Sequence, residues 1–299
     1  MIKDYSMRSL LLFCFVAQLL FAQTGLLQQK FFARIKTISD QSDAIVGVVI
    51  KDFRSGEQCS INDKELFPTA SSIKVFILAE VYRQAAEGKF KLTDVKAFPT
   101  EVRVAGSGVL SMLGEKSVSM SIRDYCVLMM NLSDNSATNF LINLVGMKNI
   151  NDFAAKNGCP ATKLQRIMMD TQAAKEGREN ISSPADFCTI LEKLHRGEIV
   201  SRQASDDILS IMTLDKEGWL KSGLPSSVSI ANKAGDIEGI KCDAGIVYLE
   251  NNPYIICVMT KMLSDDTDGG KIITDISKNA YSYFERKANS NQYGRRIPK

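Results

Sequence analysis

Phe67-Pro68-Thr69-Ala70-Ser71-Ser72-Ile73-Lys74-Val75-Phe76-Ile77-Leu78-Ala79-Glu80 decides how this chain is read. A turn-forming start gives way to apolar residues at helical spacing from Ile73 to Ala86, which predicts a strongly buried helix. Ser71 and Lys74 are three apart and share one face of that helix near its start. A serine hydroxyl is a poor nucleophile without a base beside it. A lysine desolvated at such a site, or crowded by a second cation, gives up its proton more readily. The helix N-terminus also aims backbone N–H groups at developing negative charge. Alone, this spacing equally describes a helix cap followed by a solvated cation.

Upstream, Leu26 to Ile38 has helical spacing, and Asp43 to Phe53 is short, apolar and β-branched, a strand. Downstream, helices are predicted over Ile122–Leu132, Ala137–Val145, Ile150–Asn157, Pro184–Leu194 and Ala204–Leu214. Ser183-Pro184 opens the fourth of these as cap and first turn, and His195-Arg196-Gly197 closes it. Strands return at Val228–Lys233, Ala244–Leu249 and Tyr254–Met262, with Asn251-Asn252-Pro253 as a turn. Lys271 to Arg286 closes the chain as a helix. The expected fold class is α+β. One antiparallel sheet is built from both chain ends (24–66 and 215–290) with flanking helices, and an all-helical lobe (67–214) is inserted, with a cleft between. The whole is read as one domain over 24–290.

The 299 residues are 45% hydrophobic and 24% charged with a net charge of +3, an ordinary globular balance. No basic cluster interleaves with aromatics, so nucleic acid is excluded as a partner. Lys3 and Arg8 precede an apolar run from Leu10 to Ala22. That is shorter than the roughly 20 residues of a bilayer span and reads as a secretory signal peptide over 1–22. Export to the periplasm or medium follows, with no membrane contact after cleavage; an uncleaved anchor is the alternative. Cys14 lies in the run. The remaining cysteines, Cys59, Cys126, Cys159, Cys188, Cys242 and Cys257, have no zinc-like spacing and read as small buried hydrophobes. No metal or cofactor is expected, and a monomer is.

Two further motifs stand at the expected element junctions. Ser133-Asp134-Asn135 lies where one helix ends and another begins. There a serine can relay a proton and an asparagine can hold an amide, or Asp or Ser can simply cap the next helix. Lys233-Ala234-Gly235 is placed at a strand end, where glycine lets a substrate backbone come close. An ordinary strand-to-turn transition reads the same.

In order and context the three motifs resemble the class A serine β-lactamases and related penicillin-recognising serine hydrolases, which carry S-x-x-K, S-D-N and K-T-G. The likeness runs from about Asp43 to Phe284. It takes in Gly106-Ser107-Gly108-Val109-Leu110, the stretch from Asn131 to Gly146, Ser182-Ser183-Pro184 and Asp243-Ala244-Gly245-Ile246-Val247. The resemblance implies that Ser71 is the acylated nucleophile, Lys74 its base and Ser133 the proton shuttle to the leaving nitrogen. It assigns Asn135 to the acyl-amide side chain and Lys233, with Gly235 and Asp236, to the substrate. Backbone N–H groups of Ser71 and Asp236 would form the oxyanion hole.

Two departures bear on function. Aligned on Arg166, the loop glutamate that activates the deacylating water falls on Met168. Asp170 is the nearest carboxylate, with Glu176 and Glu179 beyond, so Asp170 is either a substitute base or a turn cap. Ala234 replaces a hydroxyl that would bind a substrate carboxylate, a loss of about 1.5–3 kcal/mol, and Asp236 and Glu238 add negative charge beside it. The expected function is β-lactam amide hydrolysis through an acyl-enzyme on Ser71. The alternative is a penicillin-recognising binding protein, or a cell-wall peptide or ester hydrolase, that deacylates poorly. The partner is a small β-lactam or a cell-wall-peptide-like substrate. His195, the only histidine, sits at a helix end and is expected to have no catalytic part.

Overall fold

A computed structural model describes residues 25–114, 117–291 and 293–297. The predicted signal peptide and Cys14 lie outside the described residues. In chain order the main elements begin with α1 (Leu26–Asp40), β1 (Ile45–Asp52), β2 (Gln58–Ile61) and β3 (Phe67–Pro68). A 3₁₀ turn (Ala70–Ile73) leads into α2 (Lys74–Ala86), followed by β4 (Val95–Ala97), β5 (Ser119–Ser121) and α3 (Ile122–Asn131). Then come α4 (Asn135–Val145), α5 (Met147–Lys156), α6 (Thr171–Lys175), β6 (Ile181–Ser182), α7 (Pro184–Arg196) and α8 (Arg202–Thr213). The chain finishes with α9 (Trp219–Ser222), β7 (Ser229–Ile237), β8 (Ile240–Tyr248), β9 (Tyr254–Lys261) and α10 (Asp266–Ala288).

The strands from the two chain ends join in one antiparallel sheet, ordered β2-β1-β9-β8-β7. The fold class is therefore α+β, as the sequence implies. Both faces are covered, which is why β1 and β9 read as continuous apolar runs rather than alternating ones. One face packs Val46, Val48, Ile50, Ile256 and Val258 against Phe31 and Ile35 of α1 and Ile273, Ile276 and Phe284 of α10. The other packs Val49, Ala244, Ile246, Ile255, Cys257 and Met259 into the core of the helical region. At the centre of that region α2 is buried nearly all round, consistent with its apolar sequence. Its one buried acid, Glu80, is held by Arg83 at 2.6 and 2.7 Å.

The cap signals fold as their chemistry dictates. Ser183 accepts from the Asp186 N–H with Pro184 in the first turn, and Gly197 ends α7 in the left-handed region at φ 75°. Three expectations need correction. Ser71 lies in a 3₁₀ turn ahead of α2 rather than in its first α-helical turn. Lys233 is not at a strand end: β7 continues through Ala234, Gly235 and Asp236 to Ile237 and turns at 238–239. The closing helix begins at Asp266, because Asp265 caps it and Gly269 and Gly270 are tolerated inside. The six cysteines after Cys14 are buried free thiols.

Candidate active site

Ser71 is presented by the 3₁₀ turn at the foot of α2. The turn is fastened at the Thr69 carbonyl, which accepts from the Ser72 N–H at 3.0 Å, Ser72 Oγ at 2.8 Å and Cys242 Sγ at 2.9 Å. Gly235 lies directly against it. A Cβ there would come within 2.3 Å of the Thr69 oxygen and 2.9 Å of the Ser72 nitrogen, so only glycine lets β7 dock on the turn. The sequence reading gave Gly235 to the substrate; in the fold, the side on which a Cβ would stand faces the Ser71 turn.

Lys74, one turn on, is fully buried. Its Nζ lies 3.0 Å from Ser71 Oγ, 2.8 Å from the Ser133 carbonyl, 3.0 Å from Ser133 Oγ and 3.1 Å from Asn135 Oδ1. Two of these oxygens can only accept, and two belong to hydroxyls that can also donate. A neutral amine fits that set: two N–H bonds go to the carbonyl and the amide, and its lone pair faces a hydroxyl. Burial, reinforced by the nearby Lys233 charge and opposed by Asp134, holds the Lys74 pKa well below the ordinary lysine range.

Ser133 reaches Lys74 with both carbonyl and hydroxyl because its backbone is left-handed, at φ 53°. Asp134 beside it caps α4, Oδ1 accepting from the Ala137 N–H at 2.9 Å. Its Oδ2 accepts from the N–H groups of Val109 and Leu110 at 2.7 and 2.9 Å and so ties the 106–110 loop to the site. Gly108 permits this approach, since a Cβ there would overlap the Asp134 carboxylate at 2.2 Å. Asp134 is thus the helix cap, and its neighbours Ser133 and Asn135 are turned to Lys74.

Lys233, on β7, is buried; burial is the main cause that pulls its pKa down to about 8. Asp236 is exposed and pairs with Lys241, which also reaches Asp266 at 3.1 Å.

A cavity of about 380 Å³ opens over Ser71, lined among others by Asn135, Met168, Asp170, Asn180 and Asp236. On its loop side, Asn139 grips the Met168 backbone, accepting from its N–H at 2.8 Å and donating to its carbonyl at 3.1 Å. Asn180 Oδ1 accepts from the Gln165 and Arg166 N–H groups at 2.7 and 3.0 Å. Arg166 pairs with Glu179 at 2.8 Å, not with Asp170. Asp170 caps α6, Oδ1 accepting from the Ala173 N–H at 2.9 Å. The Met168 side chain is 6% exposed. His195 stacks on Phe53 at 3.8 Å and does not line this cavity. Sequence reading missed Asn139 and Asn180. Each acts on backbone at least 14 residues away, and no local pattern announces such a bond.

A serine hydroxyl 3.0 Å from a buried lysine amine, with Lys233 buried on β7 of an α+β fold, is the arrangement expected of a penicillin-recognising serine hydrolase. The family model of the β-lactamase enzyme family matches residues 30–284, and the chain belongs to that family. It is a hydrolase of the class A β-lactamase type. Beta-lactamase CARB-3 of Pseudomonas aeruginosa is 29% identical over 229 residues, which cover 74% of this chain and 78% of the relative. Among solved structures, a leucine-to-glutamate mutant of PBP-A, an acyl-enzyme complex with penicillin G, superposes with a TM-score of 0.79 at 28% identity. It covers 86% of this chain and 97% of that one. A β-lactamase from Sphaerobacter thermophilus gives 0.79 at 26% identity, covering 86% and 97%.

Proposed function

We propose that the protein opens β-lactam rings on Ser71 and releases the product slowly, so that an acyl-enzyme accumulates. The observation that carries the first half is the 3.0 Å approach of Ser71 Oγ to the buried Lys74 amine. Ser71 Oγ bonds to the lactam carbonyl carbon as its proton passes to Lys74. The C–N bond then breaks, and the nitrogen takes a proton relayed through Ser133 Oγ, which lies 3.0 Å from the same amine. Asn135 holds the acyl amide, Lys233 faces the substrate carboxylate, and the N–H groups of Ser71 and Asp236 receive the oxyanion. Water must then cleave the ester, returning the proton to Ser71 and freeing the acid.

The second half rests on the loop. Met168 offers a thioether where a base would activate that water, and Asp170 has one oxygen committed to capping α6. Loss of a general base slows a step by about 10²–10⁴-fold. Export is part of the same proposal, from the reading of Leu10–Ala22 as a signal peptide.

A chromogenic cephalosporin tests the reading. One equivalent of colour in a burst, followed by a slow steady rate, is expected. Ser71→Ala should lose both phases and His195→Ala should keep both. Full activity in Ser71→Ala would overturn the assignment.

A further inference from the structure

The cavity over Ser71 carries a charge that the acyl transfer above does not use. Its charged lining residues are Arg166, Asp170 and Asp236. Arg166 is answered by Glu179 at 2.8 Å, so that pair is neutral. Asp170 has no cation: Oδ1 caps α6, and Oδ2 takes no hydrogen bond among the described residues. Asp236 pairs through Oδ1 with Lys241, but Lys241 also reaches Asp266 at 3.1 Å, so one ammonium answers two carboxylates. With Asp170 counted once and the Asp236–Lys241–Asp266 group once, the lining and its partners hold two negative charges in excess.

Little else in the lining offsets them. Asn180 spends Oδ1 on the Gln165 and Arg166 N–H groups and Nδ2 on the Arg166 carbonyl at 3.1 Å. Asn135 Oδ1 is taken by Lys74. Lys233 is buried on β7 and does not line this cavity. The two carboxylates come from different elements, Asp170 from the loop entering α6 and Asp236 from β7, and bound the same space. Between them the walls are apolar, with Met168, Met169, Ala174 and Ile237. A cleft of one sign with low-dielectric walls concentrates ligands of the other sign.

We propose that this cavity selects β-lactams whose acyl side chain bears an ammonium group, with Asp170 and Asp236 as the specificity-determining carboxylates. The inference rests on the reading of Ser71 as nucleophile, and it adds the chemistry of the side chain that Asn135 leads into the cavity.

Three penicillins that differ only at the α carbon of the acyl group test it: ampicillin with an α-ammonium, benzylpenicillin with no charge there and carbenicillin with an α-carboxylate. The second-order acylation constant is measured for each at low salt and at pH about 6.5, where an α-amino group is charged. Ampicillin should be the fastest, carbenicillin the slowest, and the two should differ by about tenfold or more. Raising the salt to about 1 M should narrow that ratio. Asp170→Asn and Asp236→Asn should each narrow it by about two- to threefold. The ratio is the readout because any loss common to the three substrates cancels in it, so a merely structural role leaves it unmoved. Asp170→Asn keeps a helix-capping side chain, so that arm decides if Asp236→Asn does not fold. Equal constants for the three penicillins, carbenicillin as the fastest, or a ratio that neither substitution moves overturns the proposal. Acylation that survives Ser71→Ala overturns the underlying reading instead, which keeps the two failures apart.

Discussion

On the proposed reading, the Met168 thioether stands where a water-activating carboxylate is expected, and one oxygen of Asp170 caps α6. Asp170 can be tested cleanly, because asparagine caps helices as well as aspartate. Asp170→Asn should keep α6 and leave the slow deacylation within about threefold of wild type. A drop of about 10²-fold or more would make Asp170 the base after all. Met168→Glu should raise steady-state turnover of benzylpenicillin by at least about 10²-fold with the burst amplitude unchanged. Of the residues at the site, Ser71 and Lys74 were legible together because a three-residue spacing brings them to one side of the turn, and Asn135 only through the motif resemblance. The grip of Asn139 on Met168 and of Asn180 on the loop was not, since those bonds join segments that only the tertiary fold brings together.

Elements position these side chains through a few buried polar contacts. Asp134 makes three bonds to backbone N–H groups, one capping α4 and two holding the 106–110 loop. Asp134→Ala should cost about 2–4 kcal/mol in urea unfolding, the sum of a lost cap and orphaned buried donors. It should slow acylation as well, since Ser133 and Asn135 flank it. The longer helices of this region were readable because each carries its own apolar period, and α7 also its own start and stop; the five-residue α6 was not. The continuation of β7 through Ala234-Gly235-Asp236 was not. None of those residues favours a strand, and the pairing with Lys241, Cys242 and Asp243 on β8 holds them there.

Across the whole molecule, the site is maintained against the folding equilibrium. Lys233 has an ordinary pKa of 10.5 when unfolded and about 8 in the fold. Below pH 8 both states carry the proton and the full desolvation cost is felt. Between about 8 and 10.5 the unfolded state binds more protons, so this group's contribution to stability rises with pH. Lys233→Met should therefore stabilise the fold by about 2–3 kcal/mol at neutral pH, and that advantage should shrink as the pH approaches 10.5. Chemical denaturation of both proteins at several pH values checks the sign. Cys59, Cys159 and Cys188, each held up to about 12 by burial, act oppositely in both proteins and cancel in the difference; Cys242, which interacts with Lys233, does not. The α+β plan could be read from strands at both chain ends around a mainly helical middle.

The central claim, a covalent intermediate that forms readily and clears slowly, is met most directly by intact mass spectrometry of the protein after mixing with penicillin G. The account predicts a mass increase of one penicillin per chain, mapping to the peptide that contains Ser71 and outlasting the free drug. Rapid loss of the drug with no adduct at any time, or an adduct on another residue, would contradict it.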